Sequence, residues 1–124
     1  MAFASEADLE SWALEELQSL GHVFMSGAAT EPDAPHALRQ SYRDTILLPR
    51  LEAAVRRLNP GLPDDAVRDT VNTLRDTAFS GDMVQENRRI HDLLVSGVKV
   101  SWFEGGEQRP DLARLVDWEN RQND

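Results

Sequence analysis

Gly97-Val98-Lys99-Val100-Ser101-Trp102-Phe103-Glu104-Gly105-Gly106-Glu107 decides the fold, because at Gly97 the apolar period changes from that of a helix to that of a strand. Val98, Val100 and Trp102 alternate with Lys99, Ser101 and Phe103, the period of two that turns one face of a strand inward. Glu104-Gly105-Gly106-Glu107 reads as a turn. The alternation predicts a β-ribbon whose second strand covers Leu112 to Trp118. Pro110 cannot donate to a ladder, so it falls before that strand or at an edge.

Upstream of Gly97 the spacing is helical. Met83, Asn87, Ile90, His91 and Leu94 share one face of a helix that Gly97 closes, and a break at Ser80-Gly81 precedes it. Asn59-Pro60-Gly61-Leu62-Pro63 is a second break. Pro63-Asp64-Asp65 then opens a helix with acidic residues at the positive end of its dipole, and Val67, Val71 and Leu74 mark its buried stripe. Pro49 suits only the first turn of a helix, here one ending at Leu58. Ser26 to His36 collects Gly, Pro, Ala and Asp without periodicity and reads as a surface loop, preceded by a short extended piece from His22 to Met25.

The first helix is expected over Glu6 to Leu20, between a capping-box-like Ser5 and Asp8 and a stop at Gly21. At about 100° per residue, Leu9, Trp12, Ala13, Leu14, Leu17 and Leu20 form one broad apolar arc, the mark of a helix packed on a core. Glu10 falls inside that arc, between Leu17 and Leu14. A carboxylate there can pair with an arginine, lie on an exposed arc edge, or stand at the rim of an active site completed by other residues.

The 124 residues, 40% of them hydrophobic, suit one small domain with a modest core. The class is α+β: about four short helices, then a C-terminal ribbon, in a single domain over residues 1–124. Without cysteine there is neither a disulfide framework nor a thiolate metal site. With no basic leader and no membrane-length apolar run, the chain is read as cytoplasmic. A formal charge of -9, with Lys99 as the one lysine among twelve arginines, repels phosphate, so this chain alone should bind DNA poorly.

Much chemistry is missing. No Gly-Lys-Ser/Thr occurs to cradle a phosphate, and Lys99 has no Glu two residues before it, as a metal-dependent nuclease motif would. His22, His36 and His91 lack the one-turn spacing of paired ligands and are read as structural or solvent-exposed, with His91 partly buried at the edge of its helix's stripe.

Asp8-Leu9-Glu10-Ser11-Trp12-Ala13-Leu14, Leu20-Gly21-His22, Ser41-Tyr42-Arg43-Asp44, Arg50-Leu51-Glu52-Ala53-Ala54-Val55 and Leu58-Asn59-Pro60 follow one another in a characteristic order. Glu86-Asn87-Arg88-Arg89-Ile90-His91 and Leu115-Val116-Asp117-Trp118-Glu119-Asn120 with Asn123-Asp124 continue it. Together they resemble the start of the R subunit of type I restriction enzymes, across nearly the whole chain. Ile90 departs from the family's usual aromatic residue, and the loop from Ala28 to Gln40 matches weakly.

The resemblance implies a restriction-endonuclease-like domain that ends before the family's nuclease motif, so this piece alone should neither cut DNA nor hydrolyse ATP. It implies an intact subunit that cleaves double-stranded DNA after ATP-dependent translocation, using Mg2+ and ATP, with the modification and specificity subunits as partners. No cofactor site is expected within the chain itself. The position matching an acidic residue near the family's metal is Glu10. The alternative reading is an acidic protein–protein docking module without catalytic role; an acidic mimic of DNA is a third.

Overall fold

The computed structural model describes residues 4–76 and 82–120. The break at Ser80-Gly81 and the Asn123-Asp124 pair lie outside the described residues. The chain divides into two compact units, Met1–Ser41 and Tyr42–Asp124.

The first unit opens with helix α1, Glu6–Ser19. Its capping box forms as expected: the Asp8 N–H donates to Ser5 Oγ (3.2 Å) and the Ser5 N–H donates to the Asp8 carboxylate (2.8 Å). At the other end, Gly21 takes φ 94°. The Gly21 and His22 N–H groups donate to the carbonyls of Gln18 and Leu17, so the last turn is closed by a Schellman motif. The helix is therefore well delimited, yet it buries none of its residues. Leu9 is 57%, Trp12 61% and Leu20 75% exposed, so the expected packing of this arc on a core is not realised. The sequence stripe marks an apolar face whether or not anything covers it. In the segment expected to be an irregular loop, a single 3-10 turn spans Gly27–Thr30, held by the Thr30 hydroxyl donating to the Gly27 carbonyl at 2.8 Å.

The second unit holds the hydrophobic core. Its elements are α2 (Leu48–Leu58), α3 (Asp64–Arg75), α4 (Met83–Ser96), β1 (Val98–Glu104) and β2 (Glu107–Ala113). Pro49 lies in the first turn of α2. Pro63 is the N-cap of α3, with Asp64 and Asp65 following it. α3 packs against both α2 and β1. Ala66, Val67, Thr70 and Leu74 are its buried residues, with Val71 half-buried beside them. Ala66 joins Val98, Val100 and Ala113 in one cluster, which Leu62, Leu93, Trp102 and Leu115 border. Burying a valine side chain such as Val55, Val67 or Val98 contributes about 1.5–3 kcal/mol. Thr70 is fully buried and satisfies its hydroxyl by donating to the Ala66 carbonyl at 2.8 Å.

β1 and β2 form an antiparallel ribbon with Val98 opposite Ala113 and Glu104 opposite Glu107. Gly105 and Gly106 make the turn with φ 61° and 83°, the two positive values that a two-residue hairpin of this hand requires. β2 therefore begins directly after the turn and ends at Ala113, in place of the expected Leu112 to Trp118, and Pro110 lies within it, opposite Ser101. Antiparallel pairs alternate between hydrogen-bonded and open, starting from the bonded pair that flanks a two-residue turn. Ser101 and Pro110 fall on an open pair, where the proline nitrogen points away from β1 and no ladder bond is lost.

α4 also differs from expectation. Met83 is 80% exposed, His91 is exposed in place of the partly buried position expected for it, and the half-buried face is Glu86, Arg89, Ile90 and Leu93. The reason is electrostatic. Arg89 pairs with Glu86 (2.6 Å) and donates to the carbonyls of Thr73 (2.9 Å) and Asp76 (3.2 Å), which satisfies the open C-terminal end of α3.

Candidate functional site

Glu10, the residue singled out for chemistry, lies on the exposed surface of α1. The Ser5–Asp8 box fixes the start of that helix one turn before it. Of the two apolar residues that flank it on the arc, Leu17 is exposed and Leu14 half-buried. His22, His36 and His91 are all exposed. Among the described residues no group of three or more His, Asp or Glu side chains is placed to hold a metal ion. The described residues therefore do not by themselves fit a Mg2+ site, and Glu10 would bring a single carboxylate to one.

Within the second unit, Arg43, Asp44, Thr45, Ile46, Leu48 and Arg75 line an open depression of about 230 Å³. Arg43 and Asp44 are each engaged in polar interactions, so two cationic side chains and a carboxylate share its wall.

The groups with shifted titration belong to caps and ion pairs of the fold. The Ser5 hydroxyl and N–H hold the Asp8 carboxyl below its ordinary value. Hydrogen bonding to Arg56 does the same for Asp64, and Arg56 also binds Glu52 at 2.9 Å, so one guanidinium ties α2 to the start of α3. Arg89 lowers Glu86 in the same way. Asn59, at the end of α2, ties that helix to a distant stretch of the chain. Its amide donates to the Val55 carbonyl (2.9 Å) and the Arg114 carbonyl (2.8 Å), and its oxygen accepts the Arg114 N–H (2.7 Å). Read as sequence, Asn59-Pro60 is only a break; a bond between positions 55 apart leaves no local signal.

Residues 3–124 match the family described as the N terminus of the type I restriction enzyme R protein. The chain belongs to this family. It is 34% identical over 116 residues to the type I restriction enzyme HindI endonuclease subunit of Haemophilus influenzae, covering 94% of this chain and 11% of that protein. It is 29% identical over 112 residues to the putative type I restriction enzyme MjaIXP endonuclease subunit of Methanocaldococcus jannaschii, covering 90% of this chain and 10% of that protein. The chain thus spans about a tenth of the length of these curated relatives. No solved structure matches it. Family membership favours the restriction-subunit reading over an acidic docking module, and the match is to the N-terminal part of the R protein.

Proposed function

We propose that this chain serves as the N-terminal part of a type I restriction R subunit, whose intact form cleaves double-stranded DNA after ATP-driven translocation in a complex with modification and specificity subunits. The observation that carries the reading is the family match running unbroken from residue 3 to residue 124, through both structural units. ATP, and most of the ligands to Mg2+, would be supplied by residues outside this chain, which has no Gly-Lys-Ser/Thr loop in its sequence and no metal cluster among its described residues. DNA affinity would come from the rest of the complex, since the charge of -9 opposes it here. The complex is expected in the cytoplasm; among the described residues no helix is long and apolar enough to cross a membrane.

In this reading Glu10 acts as an acidic group at the nuclease rim, orienting the metal or its water. A complex reconstituted from the R subunit carrying this chain should cut unmodified circular DNA when given ATP and Mg2+; intact circles would refute the function. Glu10→Gln keeps the shape and removes the charge, so cleavage should fall by roughly 10- to 100-fold while ATP hydrolysis persists. Normal cleavage by the folded variant would remove Glu10 from the site.

A further inference from the structure

The ladder of the ribbon ends at Val98 and Ala113, because the residue before Val98 is Gly97, the C-cap of α4, with φ 84°. Arg114, one step past the ladder and on an open position of the alternation, directs its N–H and carbonyl away from β1. The Asn59 side chain meets both groups on that outer rim: its amide oxygen accepts the Arg114 N–H at 2.7 Å and its amide nitrogen donates to the Arg114 carbonyl at 2.8 Å. Both bonds go to one residue, as a neighbouring strand would give them. Asn59 is itself held, since its backbone N–H and its side-chain nitrogen both donate to the Val55 carbonyl and Val55 is fully buried. The grip is thus anchored in the core. On the far side of Arg114, Leu115 borders the core cluster and Asp117 accepts the Glu119 and Asn120 N–H groups at 3.1 and 3.2 Å, so the chain leaving β2 runs straight into a second fixed turn.

We propose that Asn59 is a positioning residue: by holding the backbone of Arg114 against the end of α2, it sets the line along which the polypeptide leaves the ribbon toward the rest of the subunit. The functional half of this inference rests on the restriction-subunit reading. In the curated relatives about nine-tenths of the length lies outside the matched stretch, so in a protein of that length the exit from β2 is a joint with the remainder of the subunit. A joint left loose would cost the DNA-cleavage step geometry without touching ATP hydrolysis.

Two measurements test it. In this chain, Asn59→Ala should raise amide exchange at Arg114 about tenfold, the scale of one lost hydrogen bond, while the Val98 and Val100 amides keep their protection. Asn59→Asp retains the oxygen that accepts the Arg114 N–H but sets its second oxygen against the Val55 and Arg114 carbonyls, so it should recover only part of the protection at Arg114. Unchanged exchange at Arg114 in Asn59→Ala, or an increase shared equally by Val98 and Val100, would overturn the proposal. In the reconstituted complex, Asn59→Ala should lower DNA cleavage about tenfold at unchanged ATP hydrolysis, with partial recovery in Asn59→Asp. Cleavage at the wild-type rate, or parallel loss of both activities, would overturn the functional half. A wild-type complex that fails to cut would sink the restriction reading alone, and the exchange measurement would then decide the grip of Asn59 by itself.

Discussion

α1 and α3 are similar in length, and α1 carries the side-chain cap that α3 lacks, yet α3 buries Ala66, Val67, Thr70 and Leu74 while α1 buries nothing. The difference lies in the apolar stripe, far sharper on α3 than on α1, and in what surrounds each helix. α3 has two surfaces to pack on, α2 and β1, and its small residues allow close approach to both. On the arc of α1, Leu9, Trp12, Leu17 and Leu20 stay open to solvent. A helical period says which face an element would bury; burial itself is decided by what the chain supplies to cover that face.

The largest test of this contrast is a pair of leucines. Leu74→Ala, in the core of the second unit, should cost about 2–5 kcal/mol through lost burial and a residual cavity. Leu9→Ala, on the open arc, should stay within about 0.5 kcal/mol. Urea unfolding of both variants is the measurement, and equal losses would mean that α1 is covered after all.

Gly97→Ala comes next. A Cβ there would meet the Ala113 carbonyl oxygen at 2.7 Å, in a backbone conformation of φ 84° that alanine resists. A loss of about 1–3 kcal/mol is expected. Gly21, at φ 94° with nothing within 4 Å of an added Cβ, carries only the conformational part, so Gly21→Ala should shift the melting temperature less.

Acid is the gentlest probe. Asp8, Asp64 and Glu86 have folded-state pKa values below their ordinary ones because Ser5, Arg56 and Arg89 hydrogen-bond to the charged carboxylates. A lowered folded pKa means stability that is present above the ordinary carboxylate range and is lost as pH falls through the folded value. Thermal melts from neutral pH to about 3 should therefore decline, modestly because these groups are exposed or near the surface. Asp64→Asn should remove part of that dependence from the second unit, and Asp8→Asn should affect the start of α1; a pH profile untouched by either would contradict these pairings.

The sequence revealed the elements better than their faces. Pro49, Pro63, Gly21 and Gly97 act through their own backbones, so each marks its boundary locally, and the helix order and the ribbon were legible from them. The inner face of α4 was hidden because Arg89 is drawn inward by the carbonyls of a different helix. β2 was misplaced because its pairing partner, more than its own apolar pattern, determines where it starts, and its residues from Glu107 to Leu112 are exposed. Glu10 lies within the apolar arc by sequence and on the exposed surface of α1 in the fold, one of the positions that its place on the helical wheel allows. Asn59 escaped notice for the opposite reason, since its partner lies 55 positions away.

The outer rim of β2 has a further consequence. In the alternation set by the Gly105-Gly106 turn, Gln108, Pro110, Leu112 and Arg114 direct their backbone nitrogens away from β1. Pro110 has no hydrogen to offer, the Leu112 N–H is taken by the Asp111 carboxylate at 2.7 Å, and the Arg114 N–H by Asn59. Only Gln108 is left on that rim to recruit a foreign strand, so three successive donor positions are closed to edge-to-edge aggregation along the side where an exposed two-stranded ribbon is most open to it.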